Sequence, residues 1–272
     1  MQTASELSRE TSLRITAARA VVRENIAFFA ENFSHVESRW KKDNSRVTDA
    51  DLTLSRNITE AILKKFPDDD FCSEEALPPP GAPRFFNAKF AWVLDPIDGT
   101  NNFARGIPLC AISLALLRDG VPVYGIIYDH AQRCVLEGGE TVPLSRDGVP
   151  VNPPPELPYD EHSLISLHFP LKQHELLELA PLTSVNALRC QGSAALNLAY
   201  NAFGAVDGSI DHFTRVWDIA AAYAMLLAAG RRIVFLKNKP FPLREISADM
   251  PKLRWIAGTR GFLARAEELG LL

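Results

Sequence analysis

The chain has 272 residues, 47% of them hydrophobic and 23% charged, enough to bury a sizeable core in one large domain or in two lobes sharing an interface. A formal net charge of -4 and a pI of about 5.9 lack the basic footprint of a nucleic-acid or acidic-membrane binder, so neither partner is expected. An acidic chain that handles an anionic substrate needs cations brought into its site.

Four scattered cysteines (Cys72, Cys110, Cys134, Cys190) show neither a CxxC pair nor metal-ligand spacing, and they read as buried free thiols of a reducing compartment, Cys190 included. The opening "MQTASELSRETSLRITAARA" has no apolar core of a secretory signal. The longest apolar run, Ile219 to Ala229, is too short to span a bilayer, so a cytoplasmic protein is expected.

In chain order, residues 5 to 30 have helical composition, with Leu13, Ala17 and Val21 on one face. "VTDADLTLSRNITEAILKKF" is a second helix. Thr48 suits its N-cap and Asp51 its third position, Val47 and Leu52 fit a hydrophobic staple, and Leu54, Ile58 and Ile62 continue one face until Phe66-Pro67. After a proline-rich loop (Leu77 to Pro83), "FAWVLD" is an unbroken apolar run, predicting a strand buried on both faces. "AISLALL" and "VPVYGIIYD", joined by Arg118-Asp119-Gly120, predict a hairpin. "NPPPELPYDEHS" marks the boundary between an N-terminal lobe (1-152) and a C-terminal lobe (153-272). Beyond it, "SLISLHF" and "AVDGSID" read as strands, and "GSAALNLAYNAF" and "WDIAAAYAMLLAAG" as helices. "RIVFL" and "LRWIAG" are further strands, and a short helix closes the chain. The mixture predicts layered sheets and helices without a Rossmann or P-loop phosphate motif.

Carboxylates recur at element ends: Asp51, Glu74-Glu75, Asp95, Asp98 and Asp218. Singly each has an ordinary reading: a capping box at Asp51, a solvated turn at Glu74-Glu75, a turn pair at Asp98-Gly99, an N-cap at Asp218. Together they form an oxygen-rich set suited to a hard divalent cation such as Mg²⁺. Pro96 constrains the link between Asp95 and Asp98, so that both carboxylates and the Ile97 carbonyl can converge. Gly99 permits a tight turn, after which backbone N–H groups can donate to phosphate oxygens and the Thr100 hydroxyl can orient a water.

"WVLDPIDGTNNF" (92-103) resembles the signature of the inositol monophosphatase family, lithium-sensitive phosphatases that depend on magnesium. "VTDAD" (47-51), the glutamates at 74 and 75, "GSAALNLA" (192-199) and "WDIAAAYAMLLAAG" (217-230) stand in the family's order. The resemblance covers about residues 10 to 265. It implies an α-β-α-β-α five-layer sandwich, a homodimer, and two or three Mg²⁺ ions per site. Glu74, Asp95 and the Ile97 carbonyl would hold one ion, and Asp95, Asp98 and Asp218 a second, with Glu74 touching a third. Thr100 and Asp51 would polarise the attacking water, with Glu74 counted in the catalytic set, and Gly99 and Thr100 would contact the phosphate. Gly192, Ser193 and Ala194 would line the alcohol side, Asp211 would bond a substrate hydroxyl, and Lys41 would lie near the site.

Ser73 replaces the family's glycine before the glutamate pair, and Asp211 its usual glutamate. The expected reaction is hydrolysis of a small phosphate monoester, such as an inositol-1-phosphate-like polyol or sugar phosphate. Related alternatives on the same metal site are histidinol phosphate, fructose 1,6-bisphosphate and 3′-phosphoadenosine phosphate. A regulatory or scaffold protein of the same fold is the alternative of a different class, with Arg231-Arg232, Lys237 and Lys239 as its one basic cluster, read as a solvated edge. His130, His162, His168 and His174 share no ligand spacing and read as surface or core residues, while His212 adjoins Asp211 and could reach substrate.

Overall fold

The computed structural model describes residues 4-41, 46-153, 155-156 and 158-272. The chain opens with α1 (Ala4–Asn32), a hairpin of β1 (Ser38–Trp40) and β2 (Arg46–Thr48), and α2 (Asp49–Lys65). There follow β3 (Asp70–Ser73), a 3-10 turn (Glu74–Ala76), β4 (Arg84–Phe85), β5 (Phe90–Asp98) and α3 (Thr100–Ala104). A meander continues through β6 (Ala111–Arg118), β7 (Val121–Asp129), β8 (Cys134–Gly139), β9 (Ser145–Arg146) and β10 (Val149–Pro150). Then come β11 (Leu164–Leu167), α4 (Gln173–Thr183), β12 (Ala187–Arg189), α5 (Ala194–Ala202), β13 (Gly208–Thr214) and α6 (Val216–Ala228). The last elements are β14 (Arg232–Phe235), β15 (Glu245–Ile246), β16 (Leu253–Gly258) and α7 (Arg260–Glu268).

Two large sheets result, a seven-stranded one ordered β10-β9-β8-β7-β6-β5-β3 and a five-stranded one ordered β12-β11-β13-β16-β14. Every residue of β5 is buried, and its alternation divides two cores. Trp92 and Leu94 pack with Ile58 and Ile62 of α2 and Val22 and Phe29 of α1. Ala91 and Val93 face the opposite way, into a core shared with α5 and α6. Ile165, Ile210 and Ile256 of the second sheet then pack with Leu179 of α4 and Phe262 of α7. The layers are therefore α1/α2, sheet, α5/α6, sheet, α4/α7, the five-layer sandwich expected. Helix α6 is alanine-rich because both its faces are covered: Ala220, Ala221 and Ala222 are fully buried. It approaches the first sheet so closely that a Cβ on Gly125 would stand 2.0 Å from the Ala221 carbonyl oxygen. All strands of the first large sheet precede residue 151 and all of the second follow residue 163, while the core at α5/α6 draws on both halves.

The expected elements are present. At the hairpin, Asp119 (φ 53) and Gly120 (φ 80) adopt the left-handed conformations of a type I′ turn. Thr48 caps α2, its backbone N–H donating to Asp51 Oδ2 at 2.7 Å. Several side-chain expectations are corrected. Leu13 is 54% exposed, whereas Ala17 and Val21 of the expected face are buried with Ile15, Ala18, Val22 and Phe29. Leu52 is exposed, so no staple closes on Val47. Cys190 is exposed beyond the edge strand β12, whereas the other three cysteines are buried. Arg231 is buried, donating to the Val206 carbonyl at 2.8 Å, and is no part of a solvated edge. Helix α4 and strands β8 and β12 were not anticipated. Pro181 interrupts the helical pattern of α4, and β8 ends in two glycines because a Cβ on Gly139 would meet the Val123 carbonyl at 2.2 Å. Among the described residues no helix is long and apolar enough to cross a membrane.

Candidate active site

Residues three apart on a regular strand point to opposite faces, so Asp95 and Asp98 would diverge on an undistorted β5. The pairing with β6 shows how they are brought together. Asp95 lies opposite Ser113 and Asp98 opposite Ala111, three steps on one strand against two on the other. The additional residue at Pro96-Ile97 is a β-bulge, and it reverses the alternation. Pro96 has no amide hydrogen to remove from the ladder there. The Ile97 N–H turns back to Asp95 Oδ1 at 3.1 Å.

A third carboxylate arrives from the second half of the chain. Asp218 sits at the third position of α6 rather than at its N-cap, and its Oδ2 accepts the Arg215 N–H at 2.6 Å. One oxygen each from Asp95, Asp98 and Asp218 lies within 4.8 Å of the other two. Burial and the facing acids Glu74, Asp98 and Asp218 drive Asp95 well above the usual carboxylate range. Burial, Asp98 and Glu74 do the same to Asp218. Burial also lifts Asp98, to about 6, against bonds from Ser193 and the Ala195 amide. Three hard oxygen donors that resist carrying charge together fit a divalent cation, which would remove their mutual repulsion.

Asp51 and Thr100 adjoin this cluster. Thr100 Oγ1 lies 2.9 Å from the Ile97 carbonyl oxygen and 3.1 Å from Asp51 Oδ1. Its single proton can serve one acceptor at a time. Asp51 is fully buried, its other oxygen held by Thr48, and burial pushes it up to about 6. Gly99 joins β5 to α3 at φ 83, and a Cβ there would stand 2.9 Å from the Leu109 carbonyl, so glycine alone fits. Glu74 lines the same cavity outside the group of three. Lys41 Nζ bridges Glu74 at 2.8 Å and Glu75 at 2.7 Å. Burial, then Glu74, raises Glu75 to about 7. The hydroxyl of Ser73 meets Ser55 Oγ at 2.7 Å, which explains how a side chain is accommodated at that position.

A cavity of about 420 Å³ opens beside these residues, with Asp51 and Lys41 outside its lining. Glu74, Asp95, Ile97, Asp98, Gly99, Thr100, Gly192, Ala194, Asp211 and Asp218 all line it. Ser193 stands behind the wall: it caps α5 and its hydroxyl donates to Asp98, so its side chain fixes a carboxylate. His212 points away, its Nδ1 3.0 Å from Glu175 Oε1, and does not reach the cavity. Sequence reasoning missed Trp40, Arg46, His168, Phe169 and Phe213, which also line it. They come from hairpin and strand-end segments; Trp40 adjoins Lys41 and Phe213 lies two residues past Asp211, and that proximity is the one signal the sequence offers for them. Arg46 lies over the Trp40 ring, 4.5 Å from its centroid, as the one Arg or Lys among the lining residues described. A larger cleft of about 890 Å³ between β7 and α6 has only Asp119 and Glu140 as acids, the latter paired with Arg118. Chemistry rather than volume selects the site.

Comparison with known proteins agrees with this geometry. The family described as "Inositol monophosphatase family" matches residues 6–267. The chain is 32% identical over 247 residues to a probable inositol 1-monophosphatase, ImpA, of Mycobacterium tuberculosis, covering 86% of this chain and 87% of that protein. It is 30% identical over 208 residues to the Nus factor SuhB of Pasteurella multocida, covering 74% and 75%. A solved IMPase of Thermotoga maritima superposes with a TM-score of 0.78 at 25% identity, over 95% of this chain and 96% of that one. The chain belongs to the inositol monophosphatase family and is a phosphatase.

Proposed function

We propose that the protein hydrolyses a small phosphate monoester of a polyol or sugar, with Mg²⁺ held by Asp95, Asp98 and Asp218 and by Glu74 and the Ile97 carbonyl. The observation that carries this reading is the convergence of three carboxylates, from a strand, its bulge and a distant helix, within 4.8 Å at one cavity. When bound, divalent cations neutralise the phosphoryl group and lower the pKa of the attacking water. The chain's own residues do the rest. Thr100 orients the water, and its hydroxyl, 3.1 Å from Asp51 Oδ1, can pass a proton towards that carboxylate. Gly99 and Thr100 seat the phosphate beside the carboxylates, and Gly192 and Ala194 bound the alcohol. Ser193 acts through Asp98 by holding its Oδ2.

Lys41 holds Glu74 by Oε1 at 2.8 Å, which leaves its other oxygen to serve a cation. The test is phosphate release from a panel of monoesters with Mg²⁺ and with a chelator. Release from at least one polyol or sugar phosphate, abolished by the chelator, is the expected result. Release from none refutes the reading.

A further inference from the structure

Another wall of the cavity holds two polar atoms that lack partners. Asp211, in β13, is 1% exposed, and its Oδ1 accepts the Phe213 N–H at 2.8 Å. Its Oδ2 accepts nothing. His168 follows β11, which runs parallel beside β13 with Leu167 opposite Ile210, and its backbone N–H donates to the Ile210 carbonyl at 3.3 Å. That register sets the imidazole next to Asp211. His168 Nδ1 is likewise buried and unpartnered, 3.6 Å from Asp211 Oδ2. This is too long for a direct hydrogen bond, and buried polar atoms without partners are rare in folded proteins. Both residues line the cavity. A hydroxyl oxygen about 2.8 Å from each would satisfy both, donating its proton to Oδ2 and accepting from the Nδ1–H.

The resemblance already gives Asp211 a substrate hydroxyl; we propose that His168 grips that same hydroxyl from the other side, which makes His168 a specificity-determining residue. The inference rests on the phosphatase reading above. It selects esters of alcohols with a second, free hydroxyl over esters of simple alcohols, because the latter leave a buried carboxylate oxygen unpaired.

The test compares kcat/KM, with Mg²⁺, on glycerol 2-phosphate and isopropyl phosphate, two secondary esters that differ in their free hydroxyls. The wild type is expected to prefer the glycerol ester by about 10- to 100-fold. His168→Leu brings that ratio to within about 3-fold of unity by loss on the glycerol ester alone, and His168→Asn, which keeps an N–H near the Nδ1 position, restores most of it. The ratio is internal to each protein sample, so partial unfolding of a variant does not disturb it. A wild type without preference, or a parallel loss on both esters in His168→Leu, overturns the clamp. Cleavage of neither ester overturns it too. If inositol 1-phosphate is also left intact, the phosphatase reading falls with it, so the two failures are told apart.

Discussion

Glu137 and Asp95 are both 2% exposed, yet the chain treats them in opposite ways. Glu137, in β8, receives Arg19 Nε at 2.7 Å, Ser145 Oγ at 2.9 Å and the Tyr124 hydroxyl. Burial pushes its carboxyl up, but those bonds outweigh it and hold the group below the usual range. Asp95 has the Ile97 amide at 3.1 Å and is otherwise faced by acids, which leaves it well above that range. A carboxylate that only maintains the fold is supplied with donors until its charge is comfortable. Asp95 at the cavity is left short of donors, a setting that a bound cation would relieve. The contrast separates structural from functional acids where burial alone does not.

The largest expected effect is on the functional side. Asp95→Asn should lower kcat by roughly 10⁴-fold while leaving the metal-free protein as stable as the wild type or more so, because a repelling charge has gone. Steady-state kinetics and thermal unfolding of the same sample check both halves. Thr100→Ala should cost about 10²-fold in kcat, as loss of an orienting hydroxyl does, with stability changed by no more than about 0.5 kcal/mol. Glu137→Gln is the mirror image. It should destabilise by about 2 kcal/mol, discounted for the partial exposure of Arg19, with kcat per folded molecule unchanged in denaturant-calibrated assays.

The smallest effect is the pH response. In the folded metal-free chain Asp51 and Asp98 titrate at about 6 and Glu75 at about 7, above their unfolded values near 4. The folded state therefore binds more protons across that window. Stability falls as pH rises from about 4 through 7, and Asp95 and Asp218, also raised, act in the same direction. Scanning fluorimetry should show a Tm a few degrees lower at pH 8 than at pH 5.5 without metal, and a larger gain on adding Mg²⁺ at pH 8.

Much of this was readable from local sequence because local chemistry decides it. The unbroken apolar run of β5, the Asp119-Gly120 turn and the Thr48/Asp51 cap each follow from residues within a few positions of one another. The carboxylate set was legible because Pro96 and Gly99 mark the bulge and the turn that aim it. What escaped depends on tertiary pairing. His168 enters the cavity because β11 lies beside β13. Arg46 and Trp40 enter from the β1-β2 hairpin, whose neighbours Lys41 and Asp51 point to the site while its own residue types do not. Ser193 looks like a cavity residue by position, and only the approach of α5 to Asp98 turns it into a support. The face of Ala17 and Val21 is buried as its spacing predicts, and Leu13 on the same spacing stays exposed, because tertiary cover rather than periodicity decides which positions are buried.

The central claim is that the three converging carboxylates await a divalent cation. Titration of Mg²⁺ into the metal-free protein by calorimetry at pH 6, in two buffers of different ionisation enthalpy, tests it directly. Saturable binding with release of protons is expected, since the cation displaces those that the raised carboxyls retain, with less release at pH 8 and weak or absent binding in Asp95→Asn. Binding without proton release, or binding that survives Asp95→Asn unchanged, would contradict it.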